Sequence, residues 1–507
     1  MSTSFCRHPF IAIGFISLLA SLDVVAQTTV QSDTHCVQLQ SRIESDFTIT
    51  TSEHMENYCH VEGSILARIG FWLLLPDSWN GRLVMRGGGG YAGQQWQKGR
   101  RDTLRDEGYA IAYTDTGHDA RTKPLATFAY NDREAEIDYA YRAVHLTLKL
   151  ARNLIMDYYG RPAEYRYWHG CSTGGRQGLM SAQRFPEDFH GILAAAPVLN
   201  FTDTQISGLW ASQQVKSSAL TVDKVRRVGE AIYKACDAID GLEDGLLRDP
   251  RDCNFDITVD FPRCEDKSDS SCLSTADVQA LEAIYAGVQS KGHPYFPGQP
   301  FGAELGGYAS RPPFSRSGWG LWYFHEVGQT PLLETFSTTF MRYMAFAEDN
   351  PGWQPTEFDF DRDPDRMQNI RTILDAINPD LSRFKAHGGR MITYHGWSDT
   401  ALNPLMSIDY FESVAALDKD VRSFYRLYMV PGMFHCQGGR GITHLDPFEN
   451  LVRWVEHNTP PDRLIGEQRN KSSQVTMTRP VCPYPASAVY QTGNTASADS
   501  FKCVMPQ

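Results

Sequence analysis

HGCSTGGRQG, residues 169–178, is the stretch on which the fold turns. Read outward from the serine, Gly170-Cys171-Ser172-Thr173-Gly174 fits the pattern G-x-S-x-G. A nucleophile on a sharp turn between strand and helix sits in strained backbone, and nothing bulky fits beside it. The flanks agree with such a turn. Residues 164–168 are β-prone and aromatic, and residues 177–185 can begin a helix. The cysteine beside the serine needs a separate reason.

Away from the turn, residues 68–76 and 83–86 are apolar runs separated by Trp79-Asn80-Gly81-Arg82. Asn-Gly is a hairpin signal, so the two runs are expected to pair. Gly87-Gly88-Gly89-Gly90 follows the second run. A short strand is expected at 110–114, a long helix over 138–159 with apolar spacing of three and four, and a buried strand at 191–197. Strands alternating with helices imply a mainly parallel sheet. The rhythm breaks over 201–385, which holds four cysteines, many Gly and Pro, and the run Trp319-Gly320-Leu321-Trp322-Tyr323-Phe324. It returns at 390–395, 424–430 and a helix over 447–457. The expectation is one α/β domain with a large insertion.

Composition narrows the class. At 507 residues the chain can bury a large core, and 42% hydrophobic with 21% charged residues is ordinary for a globular protein. A formal net charge of −12, with no basic cluster, argues against a nucleic-acid partner. Arg7 and His8, the apolar run 9–20 and the small residues Val24-Val25-Ala26 read as an export signal cut before Gln27. The apolar run is shorter than a membrane span of about 20 residues. A secreted or periplasmic protein with no membrane contact after cleavage is expected.

Removal of residues 1–26 takes Cys6 and leaves ten cysteines, an even number that suggests disulfides in an exported chain. Spacing favours Cys36–Cys59, Cys236–Cys253, Cys264–Cys272 and Cys482–Cys503, which leaves Cys171 and Cys436. The spacing C-x-x-C, which would favour zinc, does not occur.

A serine hydroxyl needs a base to take its proton, and the base needs an acid to hold it. In α/β-hydrolase order the acid follows the serine and the histidine comes last, each on a loop after a strand. Asp399 stands in His395-Gly396-Trp397-Ser398-Asp399, and His435 in Pro431-Gly432-Met433-Phe434-His435-Cys436. Ser172, Asp399 and His435 are the expected triad. Cys171 precedes the serine and Cys436 follows the histidine, so a bond between them would tie nucleophile to base. Closing so long a loop restricts the unfolded chain by about 5 kcal/mol on the chain-entropy model. Oxyanion donors are expected from the backbone N–H of Thr173 and from the glycine run, with Gly89 favoured.

Together these residues resemble the tannase and feruloyl esterase family, whose mark is a cysteine–serine pair and a histidine–cysteine pair with an aspartate between. The family includes mono(2-hydroxyethyl) terephthalate hydrolases. The resemblance spans nearly the whole mature chain and implies an α/β-hydrolase fold with a lid domain inserted after the nucleophile. The implied division is signal 1–26, hydrolase 27–200, lid 201–385 and hydrolase 386–507. It also implies hydrolysis of small-molecule esters of phenolic or other aromatic acids, without an organic cofactor. A peptidase using the same triad and an inactive binding protein on the same scaffold are the remoter readings.

The resemblance extends to residues 236–246, a loop that binds structural calcium in similar proteins. Asp237, Asp240 and Asp244 supply hard carboxylate oxygens, and Leu242 and Leu246 can add carbonyls. For the substrate, Trp319, Trp322 and Phe346 are candidates to sandwich a ring, and Arg342 to meet a carboxylate or phenol oxygen. His395 is expected to face the pocket, as the matching residue does in terephthalate-ester relatives.

Overall fold

Along the first strands of the structure, neighbouring side chains alternate between two cores. Phe71, Leu73 and Leu75 point to one and Trp72 and Leu74 to the other. Leu83 and Met85 oppose Val84 in the same way. A strand has period two, so this pattern means a sheet buried on both faces. The computed structural model describes residues 34–42, 45–95, 101–264, 269–305, 318–324, 330–470 and 472–506. The expected export signal and Cys6 lie outside the described residues.

The strands in chain order are β1 (Phe47–His54), β2 (Tyr58–Ile65), β3 (Ile69–Pro76), β4 (Arg82–Arg86), β5 (Ala110–Thr114), β6 (Tyr165–Cys171), β7 (Gly191–Ala195), β8 (Val288–Ser290), β9 (His293–Phe296), β10 (Arg390–Gly396) and β11 (Tyr425–Val430). Nine of them form one sheet in the order β1-β2-β3-β5-β4-β6-β7-β10-β11. The stretch from β5 to β11 is parallel, and β1, β2 and β3 extend it antiparallel. This is the α/β-hydrolase fold. Helices Ala143–Tyr159, Thr173–Arg184 and Leu405–Leu417 cover one face, and Phe448–His457 packs Leu451, Val452 and Trp454 on the other.

The expected hairpin across Asn80-Gly81 is not formed. Gly81 does turn, with φ 85°, but β5 lies between β3 and β4. Asn80 donates through Nδ2 to Glu107 O, and its N–H donates to Gly108 O. The turn is therefore bonded to the approach to β5, which takes the place that β4 would have had.

Between β7 and β10, neighbours in the sheet, the chain leaves and builds a third core. Helices Phe201–Lys216, Val222–Cys236 and Thr275–Ala286 contribute to it, with Val228, Ile232, Leu281 and Trp319 buried at its centre. Two small hairpins, β12 (Leu464–Arg469) with β13 (Val475–Val481) and β14 (Ser487–Tyr490) with β15 (Phe501–Val504), close the chain.

The sheet order also locates the site. From β4 the chain steps to β5 on one side and then to β6 on the other. In open α/β sheets ligands bind where the strand order reverses, outside the carboxyl ends. The glycine run after β4 and the serine after β6 meet there.

Candidate active site

Ser172 sits between β6 and helix Thr173–Arg184 with φ 64° and ψ −123°, a left-handed conformation costly for a residue with a Cβ. Its neighbours show why they are glycines. A Cβ on Gly170 would lie 2.6 Å from the Gly174 carbonyl carbon, and one on Gly87 would lie 2.5 Å from the Gly174 Cα. The Ser172 N–H donates to Ala195 O at the end of β7, 3.0 Å away. Arg176 is fully buried and donates through Nη1 to Leu374 O, 3.1 Å, and to Ala140 O, 3.3 Å. The arginine after the glycines thus fastens helix Thr173–Arg184 to its surroundings.

Asp399 and His435 come from loops after adjacent parallel strands, β10 and β11. The loops pack against each other: a Cβ on Gly396 would fall 2.2 Å from Met433 O, and the Ser398 N–H donates to that carbonyl. Asp399 is fully buried. Its Oδ2 lies 2.8 Å from His435 Nδ1, and its Oδ1 accepts the Ala401 and Leu402 N–H groups at 2.9 and 3.0 Å. Burial raises the carboxyl's pKa, but charge on His435 and the hydrogen bonds from His395 and His435 outweigh it and hold the group well below the usual carboxylate range.

Cys171 and Cys436 are bonded, Cα to Cα 6.1 Å, so the loops that carry Ser172 and His435 are joined beside the site. Cys436 also has φ 66°. The other four expected pairs are present as well.

Ser172, Thr173 and His435 line one cavity of about 660 Å³ together with Gly87–Gly90. Its walls are apolar: Tyr91, Phe201, Trp322, Leu332, Leu333 and Phe336, with Thr204 and Gln205 as polar exceptions. The Trp322 ring meets the His435 ring edge-on at 5.8 Å. Thr173 opens its helix, so its N–H has no carbonyl partner within the helix. The Gly89 N–H donates to Gln94 Oε1 at 3.2 Å, and Gln94 Nε2 donates back to Gly89 O at 2.8 Å.

Of the five residues expected to contact substrate, only Trp322 lines this cavity. Trp319 is fully buried in the insertion's core against Tyr285 and Tyr323. Arg342 donates to Trp353 O, 2.9 Å away. Phe346 packs under Arg366 and lines a different cavity. His395 is buried behind Asp399. Tyr91, Phe201 and Phe336 take the expected places instead. Helical spacing carried part of this signal, because Leu332 and Phe336 are four apart and share a face of helix Leu332–Tyr343.

In the loop expected to hold calcium, Asp237 accepts N–H groups from Asp244, Gly245 and Leu246. Arg479 pairs with Asp244 Oδ2, while Asp244 Oδ1 is buried without a hydrogen-bond partner. Burial, together with the charge of their acidic neighbours, raises the pKa values of Asp240 and Asp244. Among the described residues no three metal-ligating side chains form a ready cage.

The family model described as tannase and feruloyl esterase matches residues 52–504. The chain belongs to the tannase and feruloyl esterase family. A mono(2-hydroxyethyl) terephthalate hydrolase of Piscinibacter sakaiensis is 31% identical over 89% of this chain and 85% of its own length. A probable feruloyl esterase of Arthroderma benhamiae is 30% identical over 86% of this chain and 82% of its own. The crystal structure of feruloyl esterase B from Aspergillus oryzae has the same fold, with TM-score 0.82 and 24% identity, covering 93% of this chain and all of that one. This tannase and feruloyl esterase family member is a carboxylic ester hydrolase. Among the described residues no helix is long and apolar enough to cross a membrane.

Proposed function

We propose that the protein is an exported serine esterase acting on esters of aromatic acids. Ser172 Oγ attacks the ester carbonyl while His435 takes its proton, and Asp399 orients and stabilises the imidazolium. The Thr173 and Gly89 N–H groups receive the oxyanion, Gly89 being released from Gln94 Oε1 as it forms. The alcohol leaves with the proton from His435. Water, deprotonated by the same imidazole, then attacks the acyl-enzyme and frees the acid and Ser172. The inserted segment 201–385 acts as a lid over the acyl group, and the export signal expected from the sequence and the five disulfides among the described residues support an extracytoplasmic setting.

One observation carries this reading: Ser172 and the Asp399-bonded His435 share a single aromatic-walled cavity. Its aromatic walls favour an aromatic acyl group, with phenolic esters the first reading and a terephthalate monoester the second. Product analysis on methyl ferulate, methyl gallate and mono(2-hydroxyethyl) terephthalate tests both parts. Acid release from the first two, abolished at least about 10³-fold in Ser172→Ala, is the expected result. Turnover confined to the terephthalate ester would overturn the preference, and full activity of Ser172→Ala would overturn the mechanism.

The loop Cys236–Leu246 is proposed to bind one calcium ion through Asp237, Asp240, Asp244 and the Leu242 and Leu246 carbonyls. Three crowded carboxylates and the unpartnered Asp244 oxygen support a cation there. The ion's part is structural, and no reaction step passes through it.

A further inference from the structure

His395 belongs to the machinery without touching the cavity. It stands near the end of β10, four residues before Asp399, and both side chains are fully buried. Its Nε2 lies 3.1 Å from Asp399 Oδ2 and 3.1 Å from Leu402 O. An ionised carboxylate and a carbonyl can only accept, so Nε2 carries the proton. Nδ1 lies 2.8 Å from Ser407 Oγ, a hydroxyl that can donate to its lone pair. The network is complete with a neutral ring.

Asp399 Oδ2 is therefore shared by two imidazoles, His435 Nδ1 on the reactive side and His395 Nε2 behind. With Oδ1 fixed by two backbone N–H groups, the carboxylate has no freedom to rotate away from His435. Resting on the triad reading above, we propose that His395 is a positioning residue: a neutral imidazole that pins the acid so that the base keeps its orientation and tautomer. The titratable groups facing this cluster are Asp399 and His435 and, from the insertion, Tyr323, whose hydroxyl is raised by burial and then by the charge of Asp399. The insertion also reaches the acid loop through Gln299 Nε2, which donates to Asp399 O at 2.9 Å.

The test compares His395→Leu, which removes the donor, with His395→Gln, which keeps an N–H of similar reach. In folded His395→Leu, kcat should fall about 10- to 100-fold with KM within twofold, and the acid limb of kcat/KM should shift from its wild-type position. His395→Gln should recover most of the loss. An unchanged kcat and pH profile in folded His395→Leu would overturn the proposal. So would a raised KM with kcat intact, which would make the ring a substrate contact. Nitrogen-15 NMR of the histidine-labelled wild-type protein gives a readout independent of any variant. An Nε2–H ring at position 395 is expected, and an Nδ1–H ring would overturn the idea. That measurement stands even if none of the three esters is hydrolysed, so failure of the functional reading and failure of this one are separable.

Discussion

Ser172 and Cys436 carry positive φ, one at the proposed nucleophile and the other at the disulfide beside the proposed base. Strain of this kind persists only when the surroundings over-determine it. For Ser172 the surroundings are largely backbone: Gly87 and Gly170 approach Gly174 at distances that leave no room for a methyl group on either. Gly170→Ala places its Cβ 2.6 Å from main-chain atoms of Gly174, which no side-chain rotation relieves. The expected outcome is a loss of about 1–3 kcal/mol in stability by denaturant titration, with ester turnover falling more steeply than stability. Gly160→Ala is the control. It caps helix Ala143–Tyr159 with φ 70°, and a Cβ there meets nothing within 4 Å, so stability should drop from the backbone strain alone while turnover per folded molecule stays constant.

At the scale of elements, the site is an assembly of loops that neighbouring strands deliver to one edge and that the Cys171–Cys436 bond then locks. Replacing both cysteines with alanine should cost about 2–5 kcal/mol of stability. Below the new melting temperature kcat should still fall about 10-fold or more while KM changes little, because nucleophile and base would drift relative to each other. The loop at 236–246 makes a separate prediction. Chelator dialysis should lower Tm by a few degrees, calcium should restore it, and Asp240→Asn should remove the dependence. A Tm indifferent to chelator and to calcium would dismiss the ion. These elements were legible to different degrees. The serine turn, β10 and β11 were plain because buried parallel strands are short apolar runs and the loops carrying Ser172, Asp399 and His435 follow them directly. The pairing of β3 with β4 misled because Asn80-Gly81 turns as expected, yet the strand that intervenes, β5, lies further along the chain. Trp319 and Trp322 show the harder limit. They are equally aromatic and three residues apart, and only the packing of the insertion sends one inward and the other to the cavity.

For the whole molecule, buried ionisable groups decide how stability follows pH. His118, His169 and His190 are each pushed down to about 4, first by burial. An unfolded imidazole titrates near 6.5, so between about 6.5 and 4 the unfolded chain takes up protons that the folded chain refuses. These groups erode stability as pH falls through that window. Glu136 and Glu304 are pushed up to about 7, and Asp115 and Asp375 to about 6, again first by burial. Here the folded chain keeps protons that the unfolded chain has lost, so the burden is full above about 7 and lifts as pH falls toward about 4. The two sets oppose each other, and Tm should vary little between about pH 5 and 7. Glu304 isolates one side of the balance. It is buried, with Oε1 accepting from the Tyr285 hydroxyl and Oε2 from the Gly302 N–H. Glu304→Gln reproduces the protonated acid in shape and cannot ionise. It should raise Tm at pH 8, where the wild type must bury a charge or hold a proton against the solvent. The gain should shrink as pH falls through 7 and vanish near 4.5. Paired melting curves across that range decide the matter: a gain that does not depend on pH would mean that this carboxyl never exchanges its proton with folding, and the compensation argument would lose its strongest member.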